Sequence, residues 1–202
     1  HDWMGIGEFA KEKAEAIAKL GYVGFAVDIY GIDSRPKNTQ EAGKLAGTFK
    51  NDRNLMRKRI NLAFDEIKKK NYVNPDRIAV MGYCFGGTVA LELARSGADV
   101  KGTVSFHGGL DTPFPQDSKN IKGKVLVLHG GDDPFVPREQ VSAFEKEMND
   151  AAVDYQLFIY SGAVHSFTNP AAGSDNSKGA AYNEKADKRS WEAMKTFFKE
   201  IF

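Results

Sequence analysis

The stretch RIAVMGYCFGGTVALELARSG, residues 77–97, changes its periodicity in the middle. Its first part, RIAVMG (77–82), is a short apolar run after the turn NPD (74–76), which predicts a buried strand. Its last part, TVALELARSG (88–97), has helical spacing and stops at Gly97. Between them lies the chain's single cysteine, Cys84, flanked by Gly82, Gly86 and Gly87 in the pattern G-x-C-x-G-G. A side chain on so tight a strand-to-helix turn projects above the sheet. The backbone there needs small neighbours two residues before and after, and Gly82 and Gly86 supply them. The N–H of Phe85 opens the helix, where backbone donors and the helix dipole favour developing negative charge. Two readings of Cys84 stand at this point: a nucleophile on an elbow, or a small hydrophobe in the core.

Outward from this stretch, strand and helix periods alternate. Residues 8–20 carry apolar positions at Ala10, Ala14, Ile17 and Leu20, a helical stripe that ends at Gly21. YVGFAVDIY (22–30) reads as a buried strand. Residues 52–70 return to helical spacing through Met56, Ile60, Ala63, Phe64 and Ile67, ending in the solvated run KKK (68–70). VKGTVSFHG (100–108) and KVLVLHG (124–130) are further strands, residues 138–151 a helix, and DYQLFIY (154–160) the last strand. A final helix carries Trp191, Met194, Phe198 and Ile201. Such alternation with short Gly-rich joints predicts an α/β fold with a mainly parallel sheet and helices on both faces. The loops 108–122 and 161–183 are long enough to be expected to carry function.

Composition narrows the function classes. The chain has 202 residues, enough for one domain over 1–202 with a real core. With 28 basic against 27 acidic residues, nothing in the charge recommends nucleic acid or an anionic membrane as partner. One cysteine makes no internal disulfide, no Cys/His group has zinc spacing, and no apolar run reaches the roughly 20 residues of a membrane span. No metal and no organic cofactor is expected.

A nucleophile on this kind of sheet calls for an acid after a later strand and then a histidine in a later loop. VLVLHGGDDPFVP sets Asp132 and Asp133 just past one strand, and FIYSGAVHSF sets His165 just past the last. Both are carboxyl ends of strands, where open α/β sheets place their sites. His107 and His129 also end strands and read as edge or core residues.

With these segments the chain resembles the dienelactone hydrolase family of the α/β-hydrolases. The likeness runs through HDWMG, GYVGFAVDIYG, GYCFGG, SFHGG, VLVLHGGDDPFVP and GAVHSF. It implies a triad of Cys84, Asp133 and His165, with Asp133 as the orienting acid and Asp132 a turn residue. It further implies that Asp2, where the family usually has Glu, modulates the nucleophile. The backbone N–H groups of Phe85 and Trp3 would then form the oxyanion hole. An arginine that well-known members carry four residues after the histidine is here Asn169, which cannot make a bidentate contact with a substrate carboxylate. Arg53, Arg57 and Arg59 are expected to form surface salt bridges. The family has strands before the point where this chain starts. The opening HDWMG, without initiator Met or signal-peptide pattern, is therefore read as a fragment or processed product lacking its N-terminal strands.

The expected activity is hydrolysis of a small-molecule ester or lactone through an acyl-thioester. Tyr83, Phe167 and Asn169 are candidate pocket residues beside Trp3 and Phe85. Two other classes stand as alternatives: a redox- or electrophile-responsive thiol protein, and a non-catalytic binding protein on a hydrolase scaffold. A monomer or small homo-oligomer in the cytoplasm is the default, with export open if a leader preceded residue 1.

Overall fold

The helix expected over 8–20 forms as α1 (Glu8–Lys19), and that expected over 52–70 as α3 (Arg53–Lys68). Between them lies α2 (Thr39–Asn51), which periodicity did not announce. Its apolar stripe is thin and interrupted by Gly43 and Gly47. The readable signal was its start: Asn38 Oδ1 at the N-cap accepts from the Glu41 N–H at 2.9 Å, while Glu41 Oε2 accepts from the N–H of the preceding Lys37 at 2.8 Å, a variant of the capping box shifted by one residue.

The structure, a computed structural model, describes residues 1–202 and divides them into two units, His1–Pro75 and Asp76–Phe202. In the first unit the predicted strand at 22–30 is corrected. The segment joins no ladder, and Val23 and Phe25 are exposed. A strand exists through its neighbour's hydrogen bonds, and residues 22–30 pair with no other strand. The segment instead lies on α1 at Gly24, where a Cβ would come within 2.1 Å of the Ala14 carbonyl oxygen. Arg53 is also corrected: it is buried within α3, its Nη1 3.8 Å from Met56 Sδ, and is no surface residue.

The second unit holds the sheet. β1 (Ala79–Tyr83), β2 (Gly102–Phe106), β3 (Lys124–Gly130) and β4 (Tyr155–Tyr160) run parallel in the order β1-β2-β3-β4. Helices α4 (Phe85–Arg95), α5 (Arg138–Asp150) and α6 (Glu184–Ile201) complete it. The strand period of two sorts them onto faces. On β2 a Cβ at Gly102 would strike Ile201 and Phe197 of α6. Ser105, of opposite parity, meets Gly87 of α4. Val125 and Val127 of β3 lie on the Ser105 side by register and pack with Leu91 of α4 and Val141, Phe144 and Met148 of α5. So α4 and α5 cover one face and α6 the other, as the α/β-hydrolase fold requires. β2 and most of β3 are buried throughout, which accounts for their near-continuous apolar runs, while β4 at the edge exposes Phe158 and Ile159.

Candidate active site

Cys84 follows the last residue of β1 and is the N-cap of α4, with φ 55° and ψ −116°. That backbone conformation is uncommon for a residue with a side chain and is held by its surroundings. The Cys84 N–H donates to the Phe106 carbonyl at 3.0 Å, and its own carbonyl accepts from the Gly87 N–H at 3.0 Å. The flanking glycines are sterically required. A Cβ at Gly82 would stand 1.9 Å from the Gly86 carbonyl oxygen, and one at Gly87 would stand 2.5 Å from Ser105 Oγ. The thiol keeps partial solvent access.

His165 enters from the loop after β4. Its backbone is clamped on both sides by residues 179–181: its N–H donates to the Gly179 carbonyl at 3.1 Å and its carbonyl accepts from the Ala181 N–H at 3.0 Å. Its Nε2 lies 3.0 Å from Cys84 Sγ and its Nδ1 2.7 Å from Asp133 Oδ2. Asp133 is buried at the end of the β3 turn, and its other oxygen, Oδ1, accepts from the Phe135 N–H at 2.8 Å. Asp132 is exposed and gives only its backbone N–H, to the Ala163 carbonyl at 3.0 Å. The residues chosen from strand ends therefore converge into one hydrogen-bonded chain.

The charge state follows from the contacts. Burial alone pushes the His165 imidazolium toward losing its proton. The hydrogen bonds and charges of Asp133 and Cys84 outweigh that, and its pKa is pushed up to about 10. An imidazolium beside the sulfur is thus the form at neutral pH. His129, buried nearby, shifts the other way, lowered first by burial and then by the His165 charge, with Asp133 opposing.

Other site residues fall out differently. Tyr83 and Phe167 are buried: Tyr83 stacks on Phe106 at 4.5 Å, and Phe167 has no exposed surface and meets Tyr160 and His107. Their rings fill the core beneath the site. The Phe85 ring is likewise buried while its N–H opens α4. Asn169 is half-buried, and its Oδ1 accepts from the Ala171 N–H at 3.0 Å, so the amide caps its own loop. Asp2 and Trp3 belong to the first unit. There Asp2 Oδ1 accepts from the Met4 N–H at 2.8 Å, and the Trp3 carbonyl accepts from the Tyr30 hydroxyl at 3.0 Å. No group of three or more His, Cys, Asp or Glu side chains could hold a metal ion, and no helix is long and apolar enough to cross a membrane.

His107 is a core residue, one of the two readings the sequence offered. It sits just past β2 with φ 41°, buried, its Nε2 2.8 Å from Thr168 Oγ1 and its ring 5.3 Å from that of His165, edge to face.

The model of the dienelactone hydrolase family matches residues 1–202. The chain belongs to the dienelactone hydrolase family. It is a hydrolase of ester and lactone bonds, with the α/β-hydrolase fold. Among solved structures it is similar to m3DLH (39% identity, TM-score 0.94, covering 100% of this chain and 84% of that one). It is similar also to P91, a dienelactone hydrolase-like promiscuous phosphotriesterase from metagenomic libraries (37% identity, TM-score 0.92, covering 100% and 84%). A Bradyrhizobium protein named a probable 2-oxo-3-(5-oxofuran-2-ylidene)propanoate lactonase is 30% identical over 173 residues, 81% of this chain and 69% of that protein.

Proposed function

We propose that this family member cleaves its ester or lactone through a Cys84–His165–Asp133 triad and an acyl-thioester intermediate. The observation that carries the reading is His165, which reaches Cys84 Sγ with one ring nitrogen and Asp133 with the other, at 3.0 and 2.7 Å. The Cys84 thiolate attacks the carbonyl carbon, and the electron pair of the C=O moves onto oxygen. The N–H of Phe85, at the start of α4, donates to that oxyanion. Collapse breaks the C–O bond to the alcohol, and the proton on His165 Nε2 passes to the leaving oxygen. Water then gives a proton to the now neutral His165 and adds its oxygen to the thioester carbon. The C–S bond breaks, returning the acid and the thiolate. Asp133 holds Nδ1–H throughout and stabilises the imidazolium at each end of the cycle. The roles that the family resemblance implies for Asp2 and for the Trp3 N–H are carried with this proposal, on the resemblance.

With Asn169 where well-known members carry an arginine, a carboxylate-bearing substrate does not follow from the family resemblance. The test is turnover of p-nitrophenyl acetate, p-nitrophenyl butyrate and an unsaturated γ-lactone by wild type, Cys84→Ala and His165→Ala. A phosphotriester joins the panel because the similar P91 is named for that activity. Turnover that falls at least about a hundredfold in both variants supports the triad. An inert wild type whose Cys84 alkylates rapidly favours a sensing thiol. If Cys84 is inert as well, the binding scaffold is the better description.

A further inference from the structure

The end of β2 and the turn after it, residues 106–109, touch both halves of the Cys84–His165 contact. On one side they are fastened to the elbow. The Phe106 carbonyl accepts the Cys84 N–H at 3.0 Å, and Thr88 Oγ1 in the first turn of α4 donates to the Gly109 carbonyl at 3.0 Å. Between these bonds the two backbones run so close that a Cβ on Gly108 would lie 2.8 Å from Gly87 Cα. On the other side the turn reaches the loop that carries His165, through one side chain. The His107 ring meets the His165 ring at 5.3 Å with the planes 64° apart, and the Phe167 ring at 5.0 Å. Its Nε2 lies 2.8 Å from Thr168 Oγ1. His107 has φ 41°, a left-handed conformation uncommon for a residue with a side chain. Its N–H, donated to the Leu128 carbonyl at 2.8 Å, helps to hold it there. A strained backbone kept beside reactive groups points to function, and here the strain falls on the residue that joins the two halves.

We propose that His107 is a positioning residue for the Cys84–His165 pair: its backbone takes its place from the elbow, its ring takes its orientation from Thr168, and together they hold the imidazole in line with the sulfur. The inference rests on the triad reading above. Cys84 and His165 stand 81 positions apart, so their 3.0 Å contact depends on what spans the gap between the elbow and the histidine loop. Asp133 fixes the far nitrogen, Nδ1, but a single hydrogen bond leaves a ring free to swing about it. A buried ring packed against the imidazole limits that swing. The bond to Thr168 accounts for a histidine in this place rather than an apolar ring. It ties the packing ring to the loop that bears His165, three residues further on. A misplacement of about 1 Å costs about a hundredfold in rate, so a buried side chain that acts only through His165 is still needed for turnover.

The pair itself gives a readout that packing alone does not move. A thiolate held by an adjacent imidazolium alkylates well below the ordinary thiol range near 8.5, and one whose histidine has swung away does not. Iodoacetamide alkylation of Cys84, the chain's single cysteine, is followed from about pH 5 to pH 9 in wild type, His107→Leu, Thr168→Val and Thr168→Ser. A thermal melt and kcat/KM on p-nitrophenyl acetate accompany each, with Cys84→Ala as the reference for turnover. In His107→Leu the alkylation rate at pH 6 and kcat/KM should each fall at least about tenfold, with alkylation nearing the wild-type rate by pH 9. Thr168→Val leaves the ring in place without its tether and should move both in the same direction by less. Thr168→Ser keeps the hydroxyl and should stay near wild type. An alkylation profile unchanged in folded His107→Leu overturns the assignment, as does a loss of kcat/KM that only follows the unfolded fraction in the melt. If His107→Leu does not fold, the two Thr168 variants decide, and equal profiles for them overturn it. Wild type that outpaces Cys84→Ala leaves the triad reading intact in each of these cases. Wild type no faster than Cys84→Ala overturns both.

Discussion

The second unit buries two chains of charged hydrogen bonds, and they are built to opposite ends. In one, Arg95 has no exposed surface and is enclosed by acceptors. Its Nε and Nη2 pair with Glu147 Oε1 and Oε2, each at 2.8 Å; Nη1 meets Glu92 at 3.0 Å, and Nη2 also donates to the Leu110 carbonyl at 2.9 Å. Ser118 closes the ring by donating to Glu147. In the other chain, Asp133 is wholly covered, the His165 side chain is 12% exposed, and Cys84 at the end has solvent access. Both set a carboxylate against a cation in a low-dielectric interior. The first closes on itself and ties α4 to α5, while the second stops at a sulfur with partial solvent access. A buried ion pair is thus no mark of a site. A buried pair that ends on a solvent-accessible thiol is the arrangement that the proposed triad needs.

The largest expected effect breaks the open chain. Cys84→Ala and His165→Ala should each lower kcat/KM on p-nitrophenyl acetate by about a thousandfold or more. Neither should shift the urea midpoint as far as a break in the closed chain does. A variant with near-normal turnover would remove the functional half of the contrast. Next comes Arg95→Met, which deprives two buried carboxylates of their shared cation. Losing one partner of such a network costs about 3–5 kcal/mol. Urea unfolding should report that loss, with kcat per folded molecule changed only a few-fold. Combining it with Glu147→Met should recover part of the stability, since it removes one of the two buried carboxylates that Arg95 had served, while Glu92 remains. A loss below about 1 kcal/mol would mean that the closed chain holds nothing together.

The open chain also predicts a pH signature. His165 titrates near 6.5 in the unfolded chain and at about 10 in the folded one. Its folded pKa is raised, so its contribution to stability is fully present below pH 6.5 and is lost as pH rises through 10. The stability gap between wild type and His165→Asn should therefore narrow from pH 6 to pH 10. His129, with a lowered pKa, acts on the acid side, where stability falls as pH drops below 6.5 because the buried neutral ring must charge. Urea titrations at intervals of one pH unit check both slopes. A gap that widens toward pH 10 would mean that His165 is neutral at rest.

How much of this could be read beforehand depends on whether the signal is local. Cys84 and His165 each follow an apolar run at a turn, so strand ends picked them out; strand ends offered both Asp132 and Asp133, and the choice of Asp133 came from the family resemblance. Gly82 marked the elbow because a Cβ there would strike the Gly86 carbonyl oxygen at 1.9 Å. The Arg95–Glu147 pair was invisible because its members stand 52 positions apart, each on a helix where a charge reads as solvated. Residues 22–30 have a strand's composition, but a ladder depends on a partner, which composition does not supply. Tyr83 and Phe167 were aromatic near the motif, and only packing could say which way each ring turned. Phe135 sat in plain view inside DDPFVP, yet nothing in the string told an exposed ring from a buried one.

The smallest expected effect sharpens the comparison furthest. Ser118→Ala removes one donor from Glu147 and leaves both its oxygens on Arg95. A hydrogen bond to a charged group contributes about 1.5–3 kcal/mol when it is the partner that matters. Here the bidentate Arg95 contact remains, so the loss should sit at or below the low end, about 1–1.5 kcal/mol by urea unfolding, with ester turnover unchanged. A closed network tolerates the loss of a single outer member because the others still satisfy the charge. In the proposed triad the open chain has no such reserve, since each of its three members would have a different task and none would stand in for another. If Ser118→Ala instead costs as much as Arg95→Met, the serine is holding Glu147 in place for the arginine, and the network depends on that bond. If it lowers turnover at constant stability, the two chains communicate through α4, and the division between structural and reactive charge fails.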